Sequence, residues 1–110
     1  MFKLPPEPPL DLYWHDDAGE DIAQLNESAR RRIIKALRKY VEVGTPRPKP
    51  LTGELAGFWK IRIGDYRAIV KFYDQINNLP KKVRELIGDN KKFVFVSAIG
   101  HRSEIYKNRK

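Results

Sequence analysis

Phe58-Trp59-Lys60-Ile61-Arg62-Ile63-Gly64-Asp65-Tyr66-Arg67-Ala68-Ile69-Val70-Lys71-Phe72-Tyr73 is the stretch that decides the fold of this 110-residue chain. Apolar and basic residues alternate with period two as far as Ile63, Gly64-Asp65 is a two-residue turn that begins with glycine, and a second run starts at Tyr66. This spacing predicts a β-hairpin. With Gly64-Asp65 as the loop, Ile63 pairs with Tyr66, Arg62 with Arg67, Ile61 with Ala68, Lys60 with Ile69 and Trp59 with Val70. Successive strand side chains point to opposite sides. Trp59, Ile61, Ile63, Tyr66, Ala68, Val70 and Phe72 therefore form a core face, and Lys60, Arg62, Arg67 and Lys71 share the other. Two guanidinium groups stand directly opposite each other. Like charges in such a pair destabilise a sheet by ~0.2–1 kcal/mol, so a sequence selected only for folding would place Glu or Thr opposite Arg. The tolerated cost points to a bound polyanion.

Upstream, Leu10-Asp11-Leu12-Tyr13-Trp14-His15 reads as a short strand after the stiff lead-in Pro5-Pro6-Glu7-Pro8-Pro9, with His15 ending the strand and Trp14 in the core. Asp17 and Glu20 have capping-box spacing, and Ala18, Ile22 and Leu25 mark one face of a short helix that Asn26 and Glu27 break. Ser28 is the expected N-cap of a second helix, whose apolar stripe is Ile33, Ile34, Leu37, Tyr40 and Val41 and whose stop is Gly44. The two should form an antiparallel helical hairpin lying on a sheet. A basic extended connector with Arg47 and Lys49 leads to the β-hairpin. Beyond it, residues 74–90 interrupt the sheet with a short helix expected between Pro80 and Gly88. Lys91 to Ile99 is apolar on both alternating faces, as in an inner strand. The expected architecture is α+β, one domain over 1–110 with a Pro-rich start at 1–9. A small, mostly antiparallel twisted sheet carries the helical hairpin on one face and a shallow basic cleft on the other.

The chain has 22 Lys and Arg against 14 Asp and Glu, a formal charge of +8. The first 27 residues hold one Lys and seven acids, so the remainder holds 21 bases and seven acids, a balance of +14. Such a body suits an anionic partner, which could be RNA, DNA, an anionic membrane or an acidic protein segment. With no Cys and two His, disulfides, thiol catalysis and Cys-type zinc sites are excluded, and no metal or other cofactor is expected. The N-terminus lacks the apolar core of a signal peptide and the run from Phe93 to Ile99 is too short to span a bilayer, so a cytoplasmic protein is expected. The sequence contains no Gly-rich phosphate loop, His-Glu-x-x-His or Gly-x-Ser-x-Gly, which leaves ATP chemistry and the common hydrolase templates without support.

The hairpin with its Gly64-Asp65-Tyr66-Arg67 turn, the preceding Leu51-Thr52-Gly53, and the tail Gly100-His101-Arg102-Ser103-Glu104-Ile105-Tyr106 together resemble the RelE/ParE superfamily of bacterial type II toxins. The similarity covers nearly the whole chain except the Pro-rich start and residues 74–90. RelE-like members are ribosome-dependent endoribonucleases that cut mRNA in the decoding site, whereas ParE-like members poison DNA gyrase with the same fold. The resemblance implies the first activity, because Lys60, Arg62, Arg67, Arg102 and Tyr106 fill the RelE-type basic and aromatic positions. His101 departs from that pattern. The resemblance also implies a cognate antitoxin, acidic and partly disordered until bound. The alternatives are a ParE-like gyrase inhibitor and a basic nucleic-acid-binding module without activity.

Cutting RNA without a metal requires the 2′-hydroxyl to attack the adjacent phosphorus in line. The site must remove that proton, protonate the departing 5′-oxygen and stabilise a highly charged phosphorane. Arg67 and Lys60 are the candidates for phosphate and transition-state stabilisation, with Arg62 holding the scissile backbone. Tyr106 or Lys60 is the candidate base, and Arg102 or His101 the group assisting departure. Lys71, Arg47 and Lys49 are candidate RNA-binding residues.

Overall fold

The computed structural model describes residues 5–73 and 92–105, together with Lys81, Lys82 and Glu85. Its elements are β1 (Asp11–Trp14), α1 (Asp16–Ala23), α2 (Glu27–Val43), β2 (Lys49–Pro50), β3 (Trp59–Ile63), β4 (Tyr66–Tyr73) and β5 (Phe93–His101), with a 3-10 turn at Gly53–Leu55 before β3. The sheet runs β1-β5-β4-β3-β2. β1 lies parallel to β5 and the other neighbours are antiparallel, which gives the expected α+β architecture. The helix expected between Pro80 and Gly88 lies outside the described residues, except that Lys81, Lys82 and Glu85 have helical backbone and are exposed.

All five hairpin pairs stand in the expected register. Gly64 takes φ +59° while, among the described residues, no non-glycine residue has a positive φ, so the turn has the glycine-first form that matches the twist of the flanking strands. The helix ends differ from expectation at two points. α1 is capped by His15, whose Nδ1 accepts from the Asp17 N–H at 3.0 Å, so His15 takes the role assigned to Asp17. α2 is capped by Asn26, whose Oδ1 accepts from the Ala29 N–H at 2.8 Å, and Ser28 lies inside the helix. Asn can satisfy an orphan N–H of the first turn as well as Ser can, and the hydrogen bond it makes decides between them. Gly44 ends α2 in the left-handed region at φ +81°, its N–H bonded to the Tyr40 carbonyl at 2.8 Å.

Both helices cover one face of the sheet. Ala18 and Ile22 of α1 and Ile33, Leu37 and Tyr40 of α2 meet Ile61, Ile63, Ala68, Val70, Val94, Val96 and Ile99 in the main core. Ile33, Leu37, Ile61, Val70, Val94 and Val96 are wholly enclosed, and each such side chain contributes about 1.5–3 kcal/mol of hydrophobic stabilisation.

β5 changes phase along its length. Val70 pairs with Val96 but Ile69 pairs with Ala98, which leaves Ser97 as an extra residue in a β-bulge. Val94 and Val96 before the bulge and Ile99 after it therefore all face the helices, which strict alternation could not achieve. β1 is also shorter than β5, ending at the level of Val96. Past that point Asp21 replaces the missing strand, its Oδ2 accepting from the Ile99 N–H at 2.9 Å.

Candidate nucleic-acid interface

The helix-free face of the sheet gathers the cations. On its β2 side Lys49 pairs directly with Lys60, and one step along β3 Arg62 pairs directly with Arg67. Lys71 follows on β4, two positions past Ile69, its Nζ 5.3 Å from the centre of the Phe58 ring. Five of the expected site residues, Lys49, Lys60, Arg62, Arg67 and Lys71, thus share one surface. The Lys49–Lys60 pair repeats the like-charge arrangement of the two arginines.

Arg67 also holds the hairpin turn, with Nη1 donating to the Gly64 carbonyl at 3.0 Å and the Tyr66 carbonyl at 2.8 Å. Those contacts tether the guanidinium at the turn end of the strand. Arg102 lies beside the same turn, its N–H bonded to the Asp65 carbonyl at 2.7 Å and its Nε 3.8 Å from Asp65 Oδ1. Arg47 is exposed in the connector just ahead of β2.

His101 is placed apart from these residues. It pairs with Tyr66, whose side chain packs against the main core on the helix side, and the two rings meet edge to face at 5.8 Å. The His101 Nδ1 accepts from the Ser103 N–H at 3.2 Å and lies 2.8 Å from Ser103 Oγ, so a neutral ring carries its proton on Nε2. The bulge at Ser97 causes this separation, because it reverses the parity of the residues after it. Tyr106 lies outside the described residues. Its neighbour Ile105 is buried on the open face with Ile69 and Ala98, so the turn after His101 brings Ile105 back against β5. Gly100 permits that approach, since a Cβ there would lie 2.8 Å from Ile105 Cδ1 and 3.2 Å from its Cβ.

Burial pushes the Tyr40 phenol up to about 12. It sits in the core 6.1 Å from the Phe72 ring, remote in role from the cationic face. Among the described residues no three His, Asp or Glu side chains come together as a metal site, and no helix is long and apolar enough to cross a membrane.

Sequence reading missed a cleft of about 340 Å³ on the open face, lined by Leu55, Phe58, Ile69 and Ala98 with His15, Asp17 and Ser97. His15 and Asp17 reach it through the turn between β1 and α1, and Ser97 reaches it through the bulge. The spacing of Phe58 relative to Lys60 was the one available signal, since two positions along the chain put Phe58 on the face that Lys60 occupies.

The sheet, with its helices on one face and its paired cations on the other, defines a small α+β protein. A family model described as "ParE toxin of type II toxin-antitoxin system, parDE" matches residues 12–106. The chain belongs to that family, within the RelE/ParE superfamily, and is a toxin of the type II class. Toxin YoeB of Mycobacterium bovis and Toxin RelK of Mycobacterium tuberculosis are each 38% identical to it over 60 residues, covering 49% of this chain and 71% of the relative. The fold is similar to that in a RelBE toxin-antitoxin complex from Mycobacterium tuberculosis, with a TM-score of 0.63 and 19% identity over 88% of this chain and 95% of that one. An archaeal RelE–RelB complex from Pyrococcus horikoshii gives a TM-score of 0.56 and 17% identity over 87% and 98%.

Proposed function

We propose that this toxin is a metal-independent endoribonuclease that cuts mRNA in the decoding site of the ribosome. The supporting observation is the open face itself, where Lys49 and Lys60, then Arg62 and Arg67, stand opposite each other in register. Such pairs cost folding stability that a bound phosphate backbone repays. The curated relatives named YoeB and RelK are consistent with the RelE-like branch.

In this reading Lys60 and Arg67 stabilise the phosphorane, and Arg62 holds the flanking phosphate. Tyr106 or Lys60 takes the 2′-hydroxyl proton, and Arg102 stabilises the charge on the departing 5′-oxygen. His101 acts as a positioning residue: it faces Tyr66 and fixes the turn at Ser103 that carries the tail back over Gly100. A shallow face without an enclosed acid–base set relies on the ribosome to align the attacking oxygen. The solved relatives are toxin–antitoxin complexes, which supports a cognate antitoxin for this chain, one whose acidic residues answer the cations.

The test is primer extension on a defined mRNA in a purified translation system, with and without ribosomes, comparing wild type with Arg67→Ala and with the exposed Arg62→Ala. Ribosome-dependent cuts in the decoding codon that disappear in the variants are expected. The family model itself is of ParE type, which favours one second reading, a gyrase inhibitor without nuclease activity. Intact mRNA in every lane from folded protein selects that reading.

A further inference from the structure

The cleft on the open face has two walls of different chemistry. One is aromatic and apolar: Phe58, half-buried, sits beside Leu55 at the end of a loop closed by the Leu51 N–H to Phe58 carbonyl bond at 2.9 Å. The other is polar: the His15 and Asp17 side chains, 51% and 62% exposed, stand at the start of α1. Between them the floor is Ile69, Ala98 and the bulged Ser97.

That floor is embedded in the cationic array. Ile69 lies between Arg67 and Lys71 on the same side of β4, about 6.7 Å from each along the strand, and pairs across to Lys60 on one side and Ala98 on the other. The Lys71 ammonium stands over the Phe58 ring. A flat aromatic wall beside a slot, ringed by cations one nucleotide step away, is the arrangement that single-stranded nucleic acid requires, with bases stacked on side chains and phosphates held by Lys and Arg. An acidic peptide would find the cations but would leave the aromatic wall without a planar partner.

We infer that this cleft is a subsite for one unpaired RNA base, stacked on Phe58 and read on its edge by Asp17 and Ser97. The inference rests on the reading of the open face as an RNA surface, and it adds the nucleobase contact that the phosphate-binding residues do not supply. The Asp17 carboxylate can only accept hydrogen bonds, so it selects an edge that donates. Guanine presents two parallel N–H donors there, which suits a carboxylate best, and uracil presents a single ring N–H between two carbonyl acceptors. The subsite therefore favours guanine over uracil.

The experiment is a fluorescence titration of a short single-stranded RNA carrying one 2-aminopurine, with anisotropy of an end label read in parallel. Wild type quenches the 2-aminopurine on binding. Phe58→Leu keeps the apolar packing and removes the ring; it loses the quench while anisotropy still reports binding with an unchanged salt slope. Ser97→Gln, which fills the floor from the bulge, gives the same result by an independent route and covers the case of an unfolded Phe58 variant. In competition with unlabelled oligonucleotides, guanine displaces the probe at least about fivefold better than uracil, and Asp17→Asn removes most of that preference.

Undiminished quenching in both Phe58→Leu and Ser97→Gln overturns the subsite, as does RNA binding without any quench in wild type, or no binding at low salt. A poly-glutamate peptide that shifts the Ser97 amide resonance where RNA does not would make the cleft a peptide site and overturn it too. Cleavage failing while the Phe58-dependent quench persists sinks the nuclease reading alone. Cleavage persisting while both variants quench normally sinks the subsite alone.

Discussion

On the face covered by the helices, Ile61 pairs with Ala68 and Trp59 with Val70, and every contact adds to the main core. One residue further along the same strands, on the open face, Lys60 faces Lys49 and Arg62 faces Arg67. The covered face follows what folding favours, and the open face departs from it at two successive pairs. Side chains that share a backbone hydrogen-bond ladder can therefore be selected for different ends. A small apolar patch of Ile69, Ala98 and Ile105 with Leu51 and Phe58 packs on the open face, and the cations stand around it.

Four substitutions sharpen or break that contrast. Leu37→Ala on the covered face removes a wholly enclosed side chain and should cost about 2–5 kcal/mol in urea unfolding; a loss below 1 kcal/mol would mean that the helices contribute little to the core. Lys60→Ala on the open face should lower single-turnover mRNA cleavage on ribosomes by about 10²–10³-fold, with the urea midpoint unchanged or raised. Equal losses of stability and activity would erase the distinction between the faces.

Tyr40→Phe tests the covered face by pH. The unfolded phenol ionises near 10.0 and the folded one near 12, so the stability is fully present below pH 10 and falls as pH rises through that window. The unfolded chain releases a proton there that the folded chain retains. The wild type should lose roughly 2–3 kcal/mol more than Tyr40→Phe between pH 9 and 12; parallel urea-midpoint curves for the two proteins would refute this. The smallest effect belongs to Arg62→Thr, which relieves the arginine pair and should raise stability by ~0.2–1 kcal/mol at low salt, a gain that shrinks as salt increases. A loss of stability at every salt concentration would show that the pair is not repulsive in place.

Legibility tracked how local each determinant is. The hairpin was readable because Gly64-Asp65 fixes five pairs at once and period two assigns their faces. The helix caps were harder to read, since Asp17 and Ser28 have suitable chemistry and yet His15 and Asn26 make the hydrogen bonds. The strand Lys49–Pro50 was read only as a basic connector, because two residues, one of them a proline, carry no periodicity and β3 alone creates the pairing. The bulge at Ser97 was not readable at all. Val94, Phe95, Val96, Ala98 and Ile99 are apolar on both faces, so a shift of one position leaves the pattern unchanged. That unseen shift separates His101 from the arginines and admits Ser97 to the cleft.

The same bulge makes β5 behave as two strands spliced out of step. Losing the codon for Ser97 would remove the extra residue and restore strict alternation, with Ala98 still opposite Ile69 and Ile99 still opposite Ala68. His101 would stay opposite Tyr66 on the helix side, and Gly100, with its seat for Ile105, would stay opposite Arg67 on the open side. A comparable loss inside β3 would invert the core and the cations together, which no fold of this size would survive. Length variation by a single residue is therefore absorbed at one place in the sheet, where it decides only whether Ser97 joins the lining of the open-face cleft.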